Sequence, residues 1–252
     1  AVTGATVAQA AALQSAAWAF TISDTAANVQ AGLTALLADS KLTAITLTDA
    51  GTPTIMLTGA AYAADTPALA KITSAYNLTV TAATVAQATA LQSAAWAFTI
   101  SDTAANVQAA LTALQADTKL TSITLTDASK PTLTLTGAAY AADTAVLAKI
   151  TSAYNLAVTG ATVAQAAALQ TAATSFTISD TLANVQAGLT ALLANTKLTA
   201  IALTDAGTPT ITLTGAAYAA TAAVLSKITS AYYLAVTGAT VAQAAALQSA
   251  AW

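Results

Sequence analysis

The stretch Thr-Val-Ala-Gln-Ala at residues 6–10 returns unchanged at residues 84–88, 162–166 and 240–244. Each occurrence begins 78 residues beyond the one before it. Self-similarity at a fixed period is typical of arrays in which each unit buries its apolar face against its neighbours. The predicted divisions of the chain are repeat 1 (1–78), repeat 2 (79–156), repeat 3 (157–234) and a partial repeat 4 (235–252).

The composition favours a thin and layered core. Hydrophobic residues make up 56% of the 252 residues, but most of them are alanine. Because large apolar side chains are few, the order of the chain must come in good part from stacked backbone, as it does in a solenoid. A compact globule is less compatible with this composition.

The set of side chains excludes most kinds of chemistry. All 7 basic residues are lysine and all 10 acidic residues are aspartate, while arginine, glutamate, histidine and cysteine do not occur. The chain therefore has no imidazole base, no thiolate nucleophile and no nitrogen or sulfur ligand for zinc. We predict a protein that is not an enzyme and that uses no cofactor and no metal.

Charge and hydropathy also limit the partners. The net charge of −3 argues against nucleic acid, which needs clustered cations to replace the counterions of the phosphates. Polar residues interrupt the long uncharged stretches, such as 150–179, so no membrane insertion is predicted. Both ends of the sequence fall inside a repeat, which leads us to expect further copies or further repeats of the chain, end to end.

Within repeat 1, alternating β-branched segments predict strands and alanine-rich segments predict helices. The large apolar residues Ile22, Leu47, Ile55, Leu57 and Val80 are expected inside, with Thr21, Thr46 and Thr79 outside. The predicted strands are Ala1–Thr3, Phe20–Ser23, Ile45–Thr48, Thr54–Thr58 and Leu78–Thr81. The predicted helices are Thr25–Leu37, a segment from about Ala61 or Pro67 to Tyr76, and Thr6 to about Ala16.

Strand spacing predicts the topology. Three of the four steps between strands are long enough for a helix that returns the chain to a parallel neighbour, whereas the step from Leu47 to Leu57 is not. That step is expected to be a hairpin or a strand on the opposite wall of the coil. The predicted fold class is α/β, a right-handed α/β solenoid of 78-residue repeats with mostly parallel strands on one face and alanine-rich helices on the other.

Two resemblances accompany this prediction. The spacing of about 20 to 25 residues resembles leucine-rich repeats in architecture, although their leucine motif is missing. The phrases Ser-Asp-Thr-Ala-Ala-Asn-Val-Gln-Ala (Ser23–Ala31) and Leu-Thr-Asp-Ala-Gly-Thr-Pro-Thr (Leu47–Thr54) are similar to Ala/Thr-rich tandem repeats of very large secreted bacterial surface proteins. This resemblance implies an exported structural array such as an adhesin stalk, a surface layer or a fibre.

Three features are candidate sites. Asp24 and Asp49 are expected to cap helices and form turns rather than to bind calcium. Trp18, Trp96 and Trp252 are expected to pack between helix and strand rather than to form a platform for sugars. Paired Thr and Ser residues on the predicted strands form a third candidate, here called the threonine face. Its residues are Thr21, Ser23, Thr46, Thr48, Thr79, Thr81, Thr99, Ser101, Thr124 and Thr126.

The sequence thus predicts a non-enzymatic structural repeat protein that forms part of an extracellular or cell-surface bacterial filament, stalk or array. The alternative is a binding module that uses the threonine face for ice, carbohydrate or another repetitive surface. Threonine is also an ordinary residue on a solvated strand face, which favours the structural hypothesis.

Overall fold

The computed structural model describes residues 1–15 and 18–249. It is a mixed α/β structure in which every strand pairing within these residues is parallel. The chain divides into two compact units. Unit 1 contains Ala1–Ala128 and Ala145–Ser152, and unit 2 contains Ser129–Thr144 and Ala153–Trp252, of which residues 250–252 lie outside the described part.

Thirteen strands occur within the described residues. They are β1 (Val2–Ala5), β2 (Phe20–Asp24), β3 (Leu42–Leu47), β4 (Thr54–Thr58), β5 (Asn77–Ala83), β6 (Ala97–Asp102), β7 (Leu120–Leu125), β8 (Thr132–Thr136), β9 (Asn155–Ala161), β10 (Ser175–Asp180), β11 (Leu198–Leu203), β12 (Thr210–Thr214) and β13 (Tyr233–Thr237). The repeat boundaries predicted from the sequence fall inside β5 and β9 and, at 234/235, inside β13.

Helices connect most of these strands. They are α1 (Val7–Gln14), α2 (Ala26–Leu37), α3 (Gly59–Leu69), α4 (Ala88–Ala94), α5 (Ala104–Gln115), α6 (Gly137–Ala142), α7 (Thr144–Leu147), α8 (Ala166–Ala172), α9 (Leu182–Leu192), α10 (Gly215–Leu225) and α11 (Val241–Ser249). Short 3-10 turns, Val85–Gln87 and Val163–Gln165, lead into α4 and α8.

Unit 1 holds two sheets, with the strand orders β1-β2-β3 and β4-β5-β6-β7. After β3 the chain adds β4 to the second sheet and runs through α3. It then returns to the first sheet at Ile72, which forms a parallel bridge with Ile45 of β3. In the same way Ile150, within the part of unit 1 that spans Ala145–Ser152, bridges Ile123 of β7.

Unit 2 repeats this arrangement. Its sheets have the orders β8-β9-β10-β11 and β12-β13, and Ile228 bridges Ile201 of β11. Three strand and helix pairs thus begin a sheet before the chain returns to the preceding one. We call them strand–helix arms: β4 with α3, β8 with α6, and β12 with α10.

The predicted inner face of the strands is confirmed, and the predicted outer face is exposed in part. The five large apolar residues expected inside are at most 7% exposed, whereas Thr46 is exposed and Thr21 and Thr79 are half-buried. Period-two alternation allows one register that places the large side chains in the core, and the chain adopts it. The core also contains Phe20, Phe98 and Phe176, at equivalent places in β2, β6 and β10.

One prediction about local structure is narrowed and another is corrected. Of the two alternatives for the step between β3 and β4, the hairpin is excluded, because β4 begins a different sheet. The second helix starts at Gly59, where the Thr58 hydroxyl accepts from the Ala61 N–H, so Pro67 lies inside the helix and not in its first turn. This helix ends at Leu69 and does not reach Tyr76.

Candidate functional site

Aspartates at the ends of β2, β6 and β10 join neighbouring helices. Asp24 Oδ2 accepts from the N–H of Val7, the first residue of α1, at 2.9 Å. Asp24 Oδ1 accepts from the Thr25 N–H at 2.8 Å and from the Asn28 side-chain amide at 2.7 Å. We call Asp24, Asp102 and Asp180 the strand-end aspartates. The latter two make the same three kinds of bond.

These bonds stabilise the ionised carboxylates. The Asn28 amide lowers the pKa of Asp24 despite some burial, and the N–H groups of Val7 and Thr25 lower it further. At Asp102 and Asp180 burial acts to raise the pKa, but the hydrogen bonds together outweigh it and the pKa is lowered. A carboxylate that accepts several N–H bonds favours its charged form, so these groups stay ionised at neutral pH.

A second set of aspartates, which follow the next strands β3, β7 and β11, also accept from N–H groups at helix starts. Asp49 Oδ2 accepts from the N–H of Ala26, the first residue of α2, at 2.6 Å. Asp127 and Asp205 accept in the same way from Ala104 and Leu182. A negative charge at a helix N-terminus satisfies a free N–H and interacts favourably with the helix dipole.

Asp24 was expected to cap α2, but the N-cap of that helix is Thr25, whose hydroxyl accepts from the Asn28 N–H. The Asp24 carboxylate also accepts from the N–H of Val7 in the first turn of α1. Calcium is usually bound by several carboxylates, and no three acidic side chains lie together within residues 1–15 and 18–249. The carboxylate oxygens of Asp24 already accept bonds from three protein donors.

Each strand-end aspartate borders a surface cleft. The clefts have volumes of about 490, 510 and 320 Å³ beside Asp180, Asp102 and Asp24 respectively. Their walls are the first turn of one helix and small residues of the next. A Cβ on Gly32 would lie 2.4 Å from Val7 Cγ1, yet Ala110 occupies the corresponding place in the second repeat. The clefts are thus bounded by contacts that also hold adjacent helices together.

Buried acids form a further feature that the sequence prediction missed. Asp39 and Asp65 are each 2% exposed, and Oδ1 of each has no hydrogen-bond partner. Burial raises the pKa of Asp39, although the Lys71 charge opposes that rise. The Thr34 hydroxyl donates to Asp65 Oδ2 at 3.3 Å.

Comparison of the repeats gives the signal that could have found these acids. The position of Asp39 is occupied by Asp117 and then by Asn195, and all three residues are buried. The position of Asp65 is occupied by Asp143 and then by Thr221, which are also buried. A repeat that replaces both acids by neutral polar residues indicates that their charge is not needed for the fold.

Several lysines donate to backbone carbonyls at or near the ends of helices. Lys71 Nζ donates to the Asp39 carbonyl at 3.1 Å, just beyond the end of α2. Lys149 donates to the Asp117 carbonyl beyond α5, and Lys41 donates to the carbonyl of Gln14, the last residue of α1. A cation at a helix C-terminus satisfies free carbonyls and complements the helix dipole.

The threonine face is only partly exposed. Four of its ten residues, all on or next to β3 and β7, are exposed, and the other six are half-buried. The exposed residues are Thr46, Thr48, Thr124 and Thr126. The half-buried residues are Thr21, Ser23, Thr79, Thr81, Thr99 and Ser101.

Some hydroxyls of the threonine face serve the backbone. The Thr21 hydroxyl accepts from the Gly4 N–H at 3.1 Å, and the Thr99 hydroxyl accepts from the Ala82 N–H at 2.9 Å. Gly4 and Ala82 lie at bulges and have positive φ angles of 69° and 51°. The Thr81 hydroxyl donates to a carbonyl of β4 at 3.3 Å. These side chains therefore hold irregular backbone in place.

Strand register brings some pairs together and separates others. Ser23 lies opposite Thr46, and Ser101 lies opposite Thr124. Thr79 lies between Met56 and Ala97, so its rank is interrupted on both sides. The threonine face is a set of short polar pairs at these positions and not a continuous lattice.

The aromatic prediction is wrong for the two tryptophans that the structure describes. Trp18 and Trp96 are 68% and 69% exposed, and Trp252 lies outside the described residues. Both tryptophans stand just before a strand, where they point away from the core. Tyr76, in contrast, is half-buried, and its pKa is raised by burial and by the nearby Tyr62.

No helix of the described part of the chain has the length and apolar character needed to cross a bilayer. Comparison with protein-family models, with curated proteins and with solved structures found no match to this chain.

Proposed function

We propose that this chain is a non-enzymatic structural repeat protein that forms part of an extracellular bacterial filament, stalk or surface array. Its task is mechanical: within each sheet, hydrogen bonds between parallel strands join successive coils. The extracellular and bacterial part of the proposal rests on the resemblance of Ser23–Ala31 and Leu47–Thr54 to secreted surface repeats.

The observation that carries the proposal is the use of the polar side chains. Carboxylates such as that of Asp24 accept from backbone N–H groups at the starts of two helices, and lysines such as Lys71 donate to carbonyls near helix ends. The same contacts recur at Asp102 and Asp180. Side chains that serve the backbone in this way support a structural role, because a catalytic acid or base must be available to a substrate.

A solenoid is the architecture that suits this role. Each further repeat would add a parallel sheet of the order seen in β4-β5-β6-β7. Right-handed crossovers are the rule for parallel strands joined by helices. Such an array would grow without change of geometry as repeats are added.

The alternative, a surface-binding threonine face, has weaker support. Thr46 and Thr124 are exposed and each lies opposite a serine, which provides local pairs of hydroxyls. The interruption of the Thr79 rank by Met56 and Ala97 argues against recognition of an extended regular surface.

Electron microscopy of the native material tests the proposal. We expect filaments or a periodic layer whose period corresponds to a whole number of 78-residue repeats. Fractionation of the source cells should place the protein outside the cytoplasm. A dispersed intracellular monomer in both measurements would refute the proposed function.

A further inference from the structure

An exposed tryptophan stands at the start of β6. Trp96 directly precedes Ala97, the first residue of this strand, and is 69% exposed. Trp18 takes the equivalent place 78 residues earlier and is 68% exposed. Tryptophan is on average highly buried in folded proteins. The comparison of the repeats shows whether the fold itself needs the indole ring at this position.

In the third repeat a threonine meets the structural needs of this position better than a tryptophan does. The Thr174 N–H donates to the Leu156 carbonyl at 2.7 Å, as the Trp96 N–H donates to the Leu78 carbonyl at 2.7 Å. In addition, the Thr174 hydroxyl accepts from the Leu156 N–H at 3.2 Å. An indole has no acceptor and cannot make that bond. The ring of Trp96 thus gives up a backbone contact and gains little burial, which indicates a use outside the fold.

Two polar residues lie at the starts of the strands on either side of Trp96. On one side the Lys119 carbonyl accepts from the Phe98 N–H at 3.0 Å. On the other side Asn77, the first residue of β5, directly precedes Leu78, which is bonded to Trp96. Neither the Lys119 ammonium nor the Asn77 side-chain amide donates a hydrogen bond within residues 1–15 and 18–249. Both are half-buried and retain donors for a ligand.

The counterparts of Lys119 in the other repeats use their ammonium groups within the chain. Lys41 Nζ donates to the Gln14 carbonyl at 3.0 Å, and Lys197 Nζ donates to the Thr171 carbonyl at 3.4 Å. Each of these carbonyls lies at or near a helix end, a few residues before the position equivalent to Trp96. The second repeat therefore combines an exposed indole with an ammonium that is available to a ligand.

This combination suits an acidic sugar. The face of an indole carries partial negative charge, so it attracts the partly positive C–H groups on one face of a sugar ring. An ammonium forms a charge-assisted hydrogen bond with a carboxylate, and a side-chain amide can donate to a hydroxyl. A protein partner fits less well, because a stable protein interface buries about 800 Å² on each side and the apolar surface here is one ring between polar residues.

We propose that Trp96, Lys119 and Asn77 bind a uronic acid unit of a polysaccharide, with the sugar ring on the indole and its carboxylate at the Lys119 ammonium. The inference goes beyond the proposed structural role and does not depend on it. One ring and one charge at an open surface bind weakly, so we expect a Kd of about 1 mM that rises with salt.

Two variants of the full chain separate the contributions of the ring and the charge. Trp96→Thr copies the third repeat, so it should fold with a Tm at or above that of the parent and bind a trimer of galacturonic acid about tenfold more weakly. Lys119→Gln should weaken binding of this trimer by about fivefold and remove its advantage over a neutral trimer of galactose.

Two-dimensional NMR of the nitrogen-labelled chain measures binding at a single ring. The chain has three tryptophans, and each contributes one indole N–H signal. Addition of the galacturonic acid trimer should shift the signal that is missing from the spectrum of Trp96→Thr. Met56→Thr and Lys130→Gln are the matched controls, since they remove a 53% exposed apolar side chain and an exposed ammonium elsewhere, and both should bind like the parent.

Three results would overturn the inference. They are a Trp96 signal that the acidic trimer does not shift, a Trp96→Thr variant that binds like the parent, and a neutral trimer that binds the parent as tightly as the acidic one. Each of these results concerns the ligand alone, so the proposed array would stand or fall by electron microscopy independently.

Discussion

Replacement of Asp39 by asparagine should stabilise the protein at neutral pH. Asp39 is 2% exposed, its Oδ1 has no hydrogen-bond partner, and burial raises its pKa. Asn195 occupies the equivalent position in the third repeat and donates from its amide to the Ala191 carbonyl at 3.0 Å. The substitution therefore installs a side chain that the same local structure already accommodates.

The magnitude follows from two terms that favour the variant and one that opposes it. A new amide-to-carbonyl hydrogen bond contributes about 1 kcal/mol, and removal of a buried charge with an unpartnered oxygen contributes a similar amount. Loss of the attraction of Lys71 for the carboxylate offsets part of this gain. We expect a net increase of about 1–2 kcal/mol in the free energy of unfolding, or about 2–8 °C in Tm.

The pH dependence of this gain has a definite sign. Because the pKa of Asp39 is higher in the folded state than in the unfolded chain, the parent loses stability as pH rises above the unfolded value of about 3.9. The part of the gain that comes from removal of the buried charge should be present in full at pH 7 and disappear below about pH 4, while the part that comes from the new hydrogen bond should remain. Urea unfolding at both pH values measures it.

The reverse substitution provides the matched control. Asn195→Asp should destabilise the protein at pH 7 and should do so less in acid, where the buried charge is gone and only the loss of the amide bond to the Ala191 carbonyl remains. A less stable Asp39→Asn variant at pH 7 would refute the reasoning, since it would mean that the attraction of Lys71 outweighs the burial of the charge.

Three further outcomes are expected. Asp24→Ala should lower the free energy of unfolding by about 2–4 kcal/mol at pH 7 through loss of charge-assisted bonds; because its folded pKa is lowered, this stability is lost as pH falls through that pKa, and thermal melts across pH 2–7 measure it. Gly59→Ala should cost about 2–4 kcal/mol, whereas Gly32→Ala should cost under about 1 kcal/mol because a flexible valine can move; equal effects would contradict the steric argument. Thr46→Tyr and Thr124→Tyr should change stability by less than about 0.5 kcal/mol, and thermal hysteresis in the parent, abolished by these changes, would favour the surface-binding alternative.

The sequence predicted the strands because their evidence is local. Alternation around Ile22 and Ile45 specifies which side chains are buried, and a strand needs only its own residues to express that pattern. The helix over Thr25–Leu37 was predicted within one residue of its observed start for a similar reason. Parallel pairing followed from the lengths of the connections between strands.

The errors concern contacts between residues distant in sequence. The Asp24 carboxylate binds the Val7 N–H seventeen residues earlier, and no local pattern distinguishes this bond from capping of the helix that follows. The Asp65-Thr66-Pro67 segment resembles a helix start, but the Thr58 cap and the close approach of Gly59 to β5 begin the helix earlier. Trp18 is large and apolar, yet its exposure depends on which elements surround it.

The candidate sites were predicted less well than the fold. The sequence located the threonine face on the strands. Which of its residues lie opposite each other depends on bulges such as the one at Ala82, where φ is positive. An alanine at that position does not indicate a positive φ. The only sequence signal for the buried Asp39 is its replacement by Asn195 at the equivalent position of the third repeat. Substitutions between repeats of one chain thus carry information that a single repeat lacks.

Because the chain returns to the first sheet at Ile72, the stabilities of the two sheets of unit 1 are coupled. The ends of the segment from β3 to Ile72 are fixed in one sheet while β4, in its middle, is fixed in the other. If either sheet were lost, this segment would be held by the other sheet alone. Burial would then no longer offset the conformational entropy that the segment loses when it is ordered. A pulling force would therefore meet both sheets at once, and unit 1 should rupture as a block instead of unravelling strand by strand.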